Sequence, residues 1–304
     1  MFLQQVINGL TLGAVYALIA LGYTMVYGIL ELINFAHGEI YMIGAYLGMI
    51  YLGALGWAAH GQGAEVIGWG ALWMPLLAVT VLSMLTAAGY GVAVERVAYR
   101  PLRAAHRLAP LISAIGASIF LQNYVMLTQG STDKIFPHIL PAPTPIWAAV
   151  PITPIQLLIW VSSVLLMAAL HLFVRKTRLG KAMRATAQDR TMAALCGIPT
   201  DRVIVTTFMI GSGLAAAAGI MAAMYYGVAH FTIGYVAGLK AFTAAVLGGI
   251  GHIPGAMIGG VLLGLVESLG AAYVSGEFKD GFAFLILILV LLLRPTGLWG
   301  EKTG

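Results

Sequence analysis

The chain has 304 residues, 60% of them hydrophobic and 9% charged, against roughly 45–50% apolar and about 25% charged in ordinary soluble domains. Its 16 Lys+Arg and 11 Asp+Glu are too few to cover a water-exposed surface, so a soluble enzyme is excluded and lipid is the solvent for most of the chain. The net charge of +5 does not mark a nucleic-acid surface, because the basic residues gather in a few connecting segments, as membrane orientation signals do.

At about 20 residues per crossing, the length accommodates roughly eight to ten spanning helices and no large water-soluble domain. The predicted architecture is an all-α polytopic membrane bundle, one transmembrane domain over 1–304, with room for re-entrant or broken helices. The single cysteine, Cys196, allows no intrachain disulfide and no multi-cysteine metal site. No Lys or Arg precedes Arg96, so the first apolar stretch is read as a retained span rather than a cleaved signal.

Apolar stretches fall at 6–30, 39–57, 70–94, 108–128, 154–174, 203–226, 238–251, 254–274 and 279–294. Segments such as Phe282 to Leu293 are continuously apolar, which fits helices and not the alternating strands of a porin-like barrel. Arg96, Arg100, Arg103 and Arg107 lie in one connection, and Arg175, Lys176, Arg178, Lys181, Arg184, Arg190 and Arg202 in another. Two spans separate them, so both face one side, which the positive-inside rule makes cytoplasmic; Arg294 and Lys302 add the C-terminus. If 238–251, 254–274 and 279–294 all cross, nine spans place the N-terminus outside. The Gly-rich 238–251, which carries Lys240, also fits one limb of a re-entrant hairpin.

The chain has 38 glycines, and several recur at the four-residue spacing that lets helix backbones approach: Gly9 and Gly13, Gly44 and Gly48, Gly255 and Gly259, Gly260 and Gly264. Gly44 with Gly48 and Gly260 with Gly264 occupy comparable helices near the two ends, a faint sign of duplication. The six prolines between Gly130 and Pro154 predict an irregular external loop.

Catalytic signatures are missing: there is no phosphate-binding loop, since GGIGHIPG at 248–255 lacks the lysine, no H-E-x-x-H and no nucleophile elbow. Ion-coupled transport commonly places acidic or His residues inside spans, and the candidates here are Glu31, His37 and Glu39 around the first turn, Lys240, and Glu267 in a later span. Glu31, Glu39 and Lys240 read as interfacial side chains snorkelling to the headgroups, and Glu267 as a polar interhelical contact. His37 reads as a packing residue or as a path-lining one.

The connection 175–202 is the most informative. Ala-rich residues predict a helix from Lys181 to Cys196, with Met192, Leu195 and Cys196 on one face, ended by Gly197 and stopped by Pro199. An amphipathic segment of this kind either lies on the membrane surface or inserts into a groove of a cytosolic partner.

The segment ATAQDRTMAALCGI, through Ala187, Asp189, Ala193, Leu195, Gly197 and Ile198, resembles the coupling loop of bacterial ABC importer permeases, although it departs from the commoner Glu-Ala-Ala version. The stretch from Asn8 to Gly48, with Asn34, Phe35, Ala36, His37 and Gly38 at its sharpest, is similar to the opening of branched-chain amino acid ABC importer permeases of the LivH type. ERVAYRPLR at 95–103, KAFTAAVLGGIG at 240–251, IPGAMIGG at 253–260 and RPTGLWG at 294–300 extend the resemblance over nearly the whole chain.

The resemblance implies a non-enzymatic permease in a bacterial inner membrane. Its implied partners are a second related permease, two cytosolic ABC ATPases that use the ATP, and a periplasmic substrate-binding protein. Arg184, Asp189, Arg190, Ala193, Leu195 and Gly197 are then expected to dock on or shape the contact with an ATPase. Asn34, His37 and Thr243 are expected to line the path, with no cofactor or metal in this chain. The rival class is a stand-alone secondary carrier or channel for small polar solutes; the residues themselves leave leucine, another small amino acid, an amide or urea open as cargo.

Overall fold

The computed structural model describes residues 2–56, 69–103, 105–106, 108–137, 152–294 and 296–300. Arg107, Lys302 and most of the proline-rich segment lie outside these residues. The helices are α1 (Phe2–Leu30), α2 (His37–Ala54), α3 (Trp69–Val94), α4 (Leu108–Gln129), α5 (Pro154–Lys176), α6 (Arg178–Gln188), α7 (Arg190–Leu195), α8 (Thr200–Tyr226), α9 (Ile233–Gly248), α10 (Ile253–Tyr273) and α11 (Lys279–Leu293). A π-helical turn, Glu95–Tyr99, and a 3-10 turn, Arg100–Leu102, extend α3. Two short strands, Lys134–Ile135 (β1) and Val228–Ala229 (β2), pair antiparallel.

Among the described residues six helical runs are long and apolar enough to cross a membrane, and the protein is a multi-pass membrane bundle. Helix lengths follow local chemistry. Thr153 caps α5 through a capping box with Gln156, and Pro154 occupies the first turn. The His252 ring accepts from the Gly255 amide at 3.0 Å to start α10, with Pro254 behind it. The Gly-rich turn at 249–251 ends α9 at Gly248, so this helix begins five residues before the apolar stretch 238–251 and stops three before its end.

Glycine seams set the packing. A Cβ on Gly13 would lie 2.7 Å from the Val261 Cα, one on Gly260 would lie 2.5 Å from Ala17 backbone, and one on Gly264 would lie 2.3 Å from the Gly13 nitrogen. α1 and α10 therefore touch backbone to backbone and run antiparallel. Gly44 meets Ala216 and Gly48 meets Ile220, which lays α2 parallel to α8; Gly255 and Gly259 press on Gly248 and Ala244 of α9. All four glycine pairs picked out by spacing are helix contacts.

Nine helices alternate in direction through the described bundle. α1, α3, α5, α9 and α11 run toward the end that carries Arg100, Arg103 and the α6–α7 segment, while α2, α4, α8 and α10 run away from it. The packing shows an internal relation: α1 lies on α10 as α8 lies on α3, α1 touches α9 as α8 touches α2, and α2 touches α3 as α9 touches α10. The related units are thus α1–α3 and α8–α10, in inverted orientation. This corrects the expectation from Gly44/Gly48 and Gly260/Gly264, since α2 corresponds to α9 and not to α10.

Both middle helices start inside the bundle. His37, the first residue of α2, lies beside Gly22 of α1, eight residues before α1 ends, or about 12 Å at 1.5 Å per residue. A Cβ on Gly38 would lie 2.3 Å from the Gly234 carbonyl, so the starts of α2 and α9 cross in backbone contact.

Candidate coupling segment and central cavity

At the basic end, Thr177 closes α5 and opens α6: its hydroxyl donates to the Phe173 carbonyl at 2.7 Å and accepts from the Gly180 amide at 3.0 Å. Arg184 turns back and donates to the Val174 carbonyl, neutralising the negative end of α5. Met183 and Thr186 are buried on the underside of α6, which packs against α1 and α8.

The single helix expected from Lys181 to Cys196 is two helices. Asp189 adopts an extended backbone, ends α6 and caps α7 by accepting from the Met192 amide at 2.9 Å. An aspartate next to helix amides wins this competition because its carboxylate satisfies an otherwise orphaned donor. Gly197 follows with φ +82°, its amide bonded to the Ala194 carbonyl, and Ile198 bonds back to Ala193. Ala193 is buried, whereas Met192 and Leu195 are 59% and 78% exposed, so α7 presents two large apolar side chains outward. Arg190 reaches toward Asp201 of α8 at 4.0 Å.

Inside the bundle, His37 occupies a slot left by Gly22 and Gly211 and meets the Tyr23 ring edge-on at 4.9 Å. The Asn34 side-chain oxygen faces the Tyr99 hydroxyl at 3.3 Å, and the Thr243 hydroxyl donates to the Leu239 carbonyl at 3.0 Å. Asn34, His37 and Thr243 are all buried, and none lines the cavities described here. The motif around Asn34 and His37 is therefore placed at the broken start of α2.

Glu39 and Lys240 are not interfacial. Glu39 is fully buried, its carboxylate accepting from Ser118 of α4 at 3.1 Å. The Lys240 ammonium lies 2.9 Å from Glu267 and 2.5 Å from Asp280, while Glu267 also meets Lys279 at 3.3 Å and accepts from the Tyr16 hydroxyl at 3.2 Å. The expected polar contact of Glu267 is thus a neutral four-charge cluster joining α9, α10 and α11. Charges inside lipid demand such pairing. Lys240 also borders a cavity of about 380 Å³ between α1, α2, α8 and α9, whose walls combine Leu12, Val15 and Ala237 with Tyr16, Tyr41 and Tyr226. A second cavity of about 420 Å³ opens between α4 and α9, lined by Ser118, Gln122, Tyr235 and Phe35.

Tyr16, Tyr99, Asp201 and Asp280 carry contacts that sequence patterns leave unmarked. In the sequence Asp201 is only one acidic residue just after Pro199, and Tyr99 only one member of ERVAYRPLR.

Two inverted three-helix units, middle helices that start inside the bundle and a short helix pair at the basic end define a polytopic membrane domain built like a transport unit. A family described as branched-chain amino acid transport system / permease component matches residues 5–291, and the chain belongs to that family. The Escherichia coli (strain K12) high-affinity branched-chain amino acid transport system permease protein LivH is 52% identical over 307 residues, covering 99% of this chain and 96% of that protein. The Pseudomonas aeruginosa high-affinity branched-chain amino acid transport system permease protein BraD is 50% identical over 304 residues, again covering 99% and 96%. The probable LivH protein of Methanocaldococcus jannaschii is 26% identical, covering 93% of this chain and 88% of that one. A solved structure, PsaBC from Streptococcus pneumoniae in complex with Fab, aligns with TM-score 0.47 at 11% identity over 97% of this chain and 93% of that chain.

Proposed function

We propose that the chain is the membrane-spanning permease subunit of an ATP-driven importer for branched-chain or related small amino acids, seated in a bacterial inner membrane. It would work with a second related permease, two cytosolic ABC ATPases that consume the ATP, and a periplasmic substrate-binding protein. The observation that carries this is similarity at 50–52% identity along nearly the full length to permease proteins of high-affinity branched-chain amino acid transport systems. It favours the ATP-driven assembly over a stand-alone carrier or channel.

The mechanism is alternating access. ATP binding closes the two ATPases, and α7, seated in one of them through Met192 and Leu195, moves with it. Ala193 and Gly197 shape that contact, Asp189 holds the helix start, and Arg184 and Arg190 supply basic edges. The glycine seams between α1 and α10 and between α2 and α8 let packed helices slide without side chains to unlock. The cavity beside Lys240 has the size and mixed lining that suit a small amino acid: apolar walls for an aliphatic side chain, with the hydroxyls of Tyr41 and Tyr226 beside them for its polar groups. Asn34, His37 and Thr243 would reach the path when the starts of α2 and α9 separate.

Reconstitution into proteoliposomes tests the assignment. The complete assembly is expected to accumulate leucine only with ATP and binding protein present. Gradient-driven flux through this chain alone would establish the carrier instead.

A further inference from the structure

A polar route runs from the coupling segment to the centre of the bundle. Arg190 of α7 lies 4.0 Å from the Asp201 carboxylate in the first turn of α8. The same carboxylate takes Arg103 at 2.6 Å and Arg100 at 3.4 Å. Arg103, its side chain only 9% exposed, turns its other nitrogen to the fully buried Glu95, which opens the π-helical turn. That turn ends at Tyr99, which is fully buried against Phe208 at 5.3 Å between ring centres. The Tyr99 hydroxyl sits 3.0 Å from the Ile33 carbonyl and 3.3 Å from the Asn34 side-chain oxygen, both in the break between α1 and α2. The Asn34 carbonyl then accepts from the His37 amide at 3.0 Å, fixing the start of α2.

Four physical features let displacement pass along this route. The Glu95–Arg103 pair is buried and costly to separate, so the π turn moves with the 3-10 turn as one piece. The Arg190 contact is the longest of the three on Asp201 and the only one from α7, so it is the contact that changes when α7 is displaced. The Tyr99 hydroxyl has one proton and two acceptors, the Ile33 carbonyl and the Asn34 side-chain oxygen, so its hydrogen bond can pass from one to the other when the segment before α2 shifts. The π turn at the end of α3, with its surplus residue, supplies the local slack.

We infer that Asp201 and Tyr99 are positioning residues that relay displacement of α7 to the start of α2. The inference rests on the permease assignment above. Asp201 and Tyr99 act at a distance from the path: Asp201 acts through Arg103 and Glu95, and Tyr99 acts through the 31–36 segment.

The test uses the complete assembly in proteoliposomes and reads leucine taken up per ATP hydrolysed. Tyr99→Phe removes only the hydroxyl, and Asp201→Asn removes the charge. Each is expected to lower uptake per ATP about fivefold or more, the scale of ordinary coupling between sites, with assembly and thermal stability retained. The double variant should be no worse than the poorer single one, because a chain broken twice carries no less than a chain broken once. Multiplying losses would show two separate structural contributions and overturn the relay, as would an unchanged ratio. Should Asp201→Asn fail to assemble, Arg190→Gln at the surface is the substitute: it must lower the ratio alone and add nothing in the Tyr99→Phe background. Absence of ATP-driven uptake by the unmodified assembly would remove the permease assignment and the relay with it; normal uptake with unaltered variant ratios removes the relay alone.

Discussion

Lys240 on α9 and Glu267 on α10 hold opposite charges 2.9 Å apart inside the bundle, both side chains at most 6% exposed. Asp280 and Lys279 at the start of α11 complete a set with no net charge, so each formal charge has an opposite within 3.3 Å. Glu267→Leu would leave two lysines facing one aspartate and is expected to cost about 3–5 kcal/mol, the usual penalty for stranding one member of a buried pair. Lys240→Met combined with Glu267→Leu removes one charge of each sign and should recover most of that loss. Unfolding midpoints of the detergent-purified protein check the order; a double variant as unstable as the sum of the singles would mean that the pair is not coupled.

The α1–α10 seam makes a matched comparison possible. A Cβ on Gly260 meets Ala17 backbone at 2.5 Å, so Gly260→Ala must push two helices apart, while a Cβ on Gly116 in α4 meets nothing within 4 Å. Gly260→Ala is expected to destabilise by about 1–3 kcal/mol through overpacking, and Gly116→Ala to be neutral or better because alanine favours helix. Membrane levels and melting of the two variants, measured side by side, provide the check. Equal behaviour would deny that the seam is sterically closed.

How far these features can be read without coordinates depends on the physics behind each. Long continuous spans such as α3, α4, α5 and α8 are legible because lipid demands apolar residues over their whole length. The glycine pairs are legible because close backbone approach needs their spacing. The boundaries of α9 are less so: apolar residues continue into GGIGH, where backbone conformation and not hydropathy ends the helix. The facing of Glu39 and Lys240 is invisible to composition, since an interfacial carboxylate and a buried one bonded to Ser118 have the same neighbours in sequence. The break at Asp189 is hidden by good helix formers on both sides. Nothing in ERVAY announces a π turn, whose two ends have distant partners: Arg103 on Glu95, and the 31–36 segment on Tyr99.

Gly197 ends α7 at φ +82° with open space around it, so its requirement is conformational and not steric. Valine there must either adopt a strained left-handed backbone or redirect the chain into Pro199, and it should uncouple ATP hydrolysis from uptake while leaving insertion intact. Asparagine tolerates the same φ and should preserve most of the coupling. Uptake and ATPase rate measured together on both variants decide this. Full coupling in Gly197→Val would detach the α7 turn from any docking role.

Asp189 distinguishes capping from contact. Its carboxylate already accepts from the Met192 amide at 2.9 Å and starts α7, the helix that carries the exposed Met192 and Leu195. Asp189→Ala removes an N-cap and is expected to cost about 1 kcal/mol locally, loosening α7 and lowering uptake. Serine keeps a capping oxygen without the charge. If Asp189 serves the coupling segment by holding α7 in shape, Asp189→Ser restores uptake toward the unmodified level. If the charge itself meets a basic group on the ATPase, serine stays as impaired as alanine. A helix this short, with a cap at one end and a glycine turn at the other, has little stability of its own. The structure therefore favours the first outcome: α7 keeps its shape through its two ends, and its exposed apolar pair is presented only while both hold.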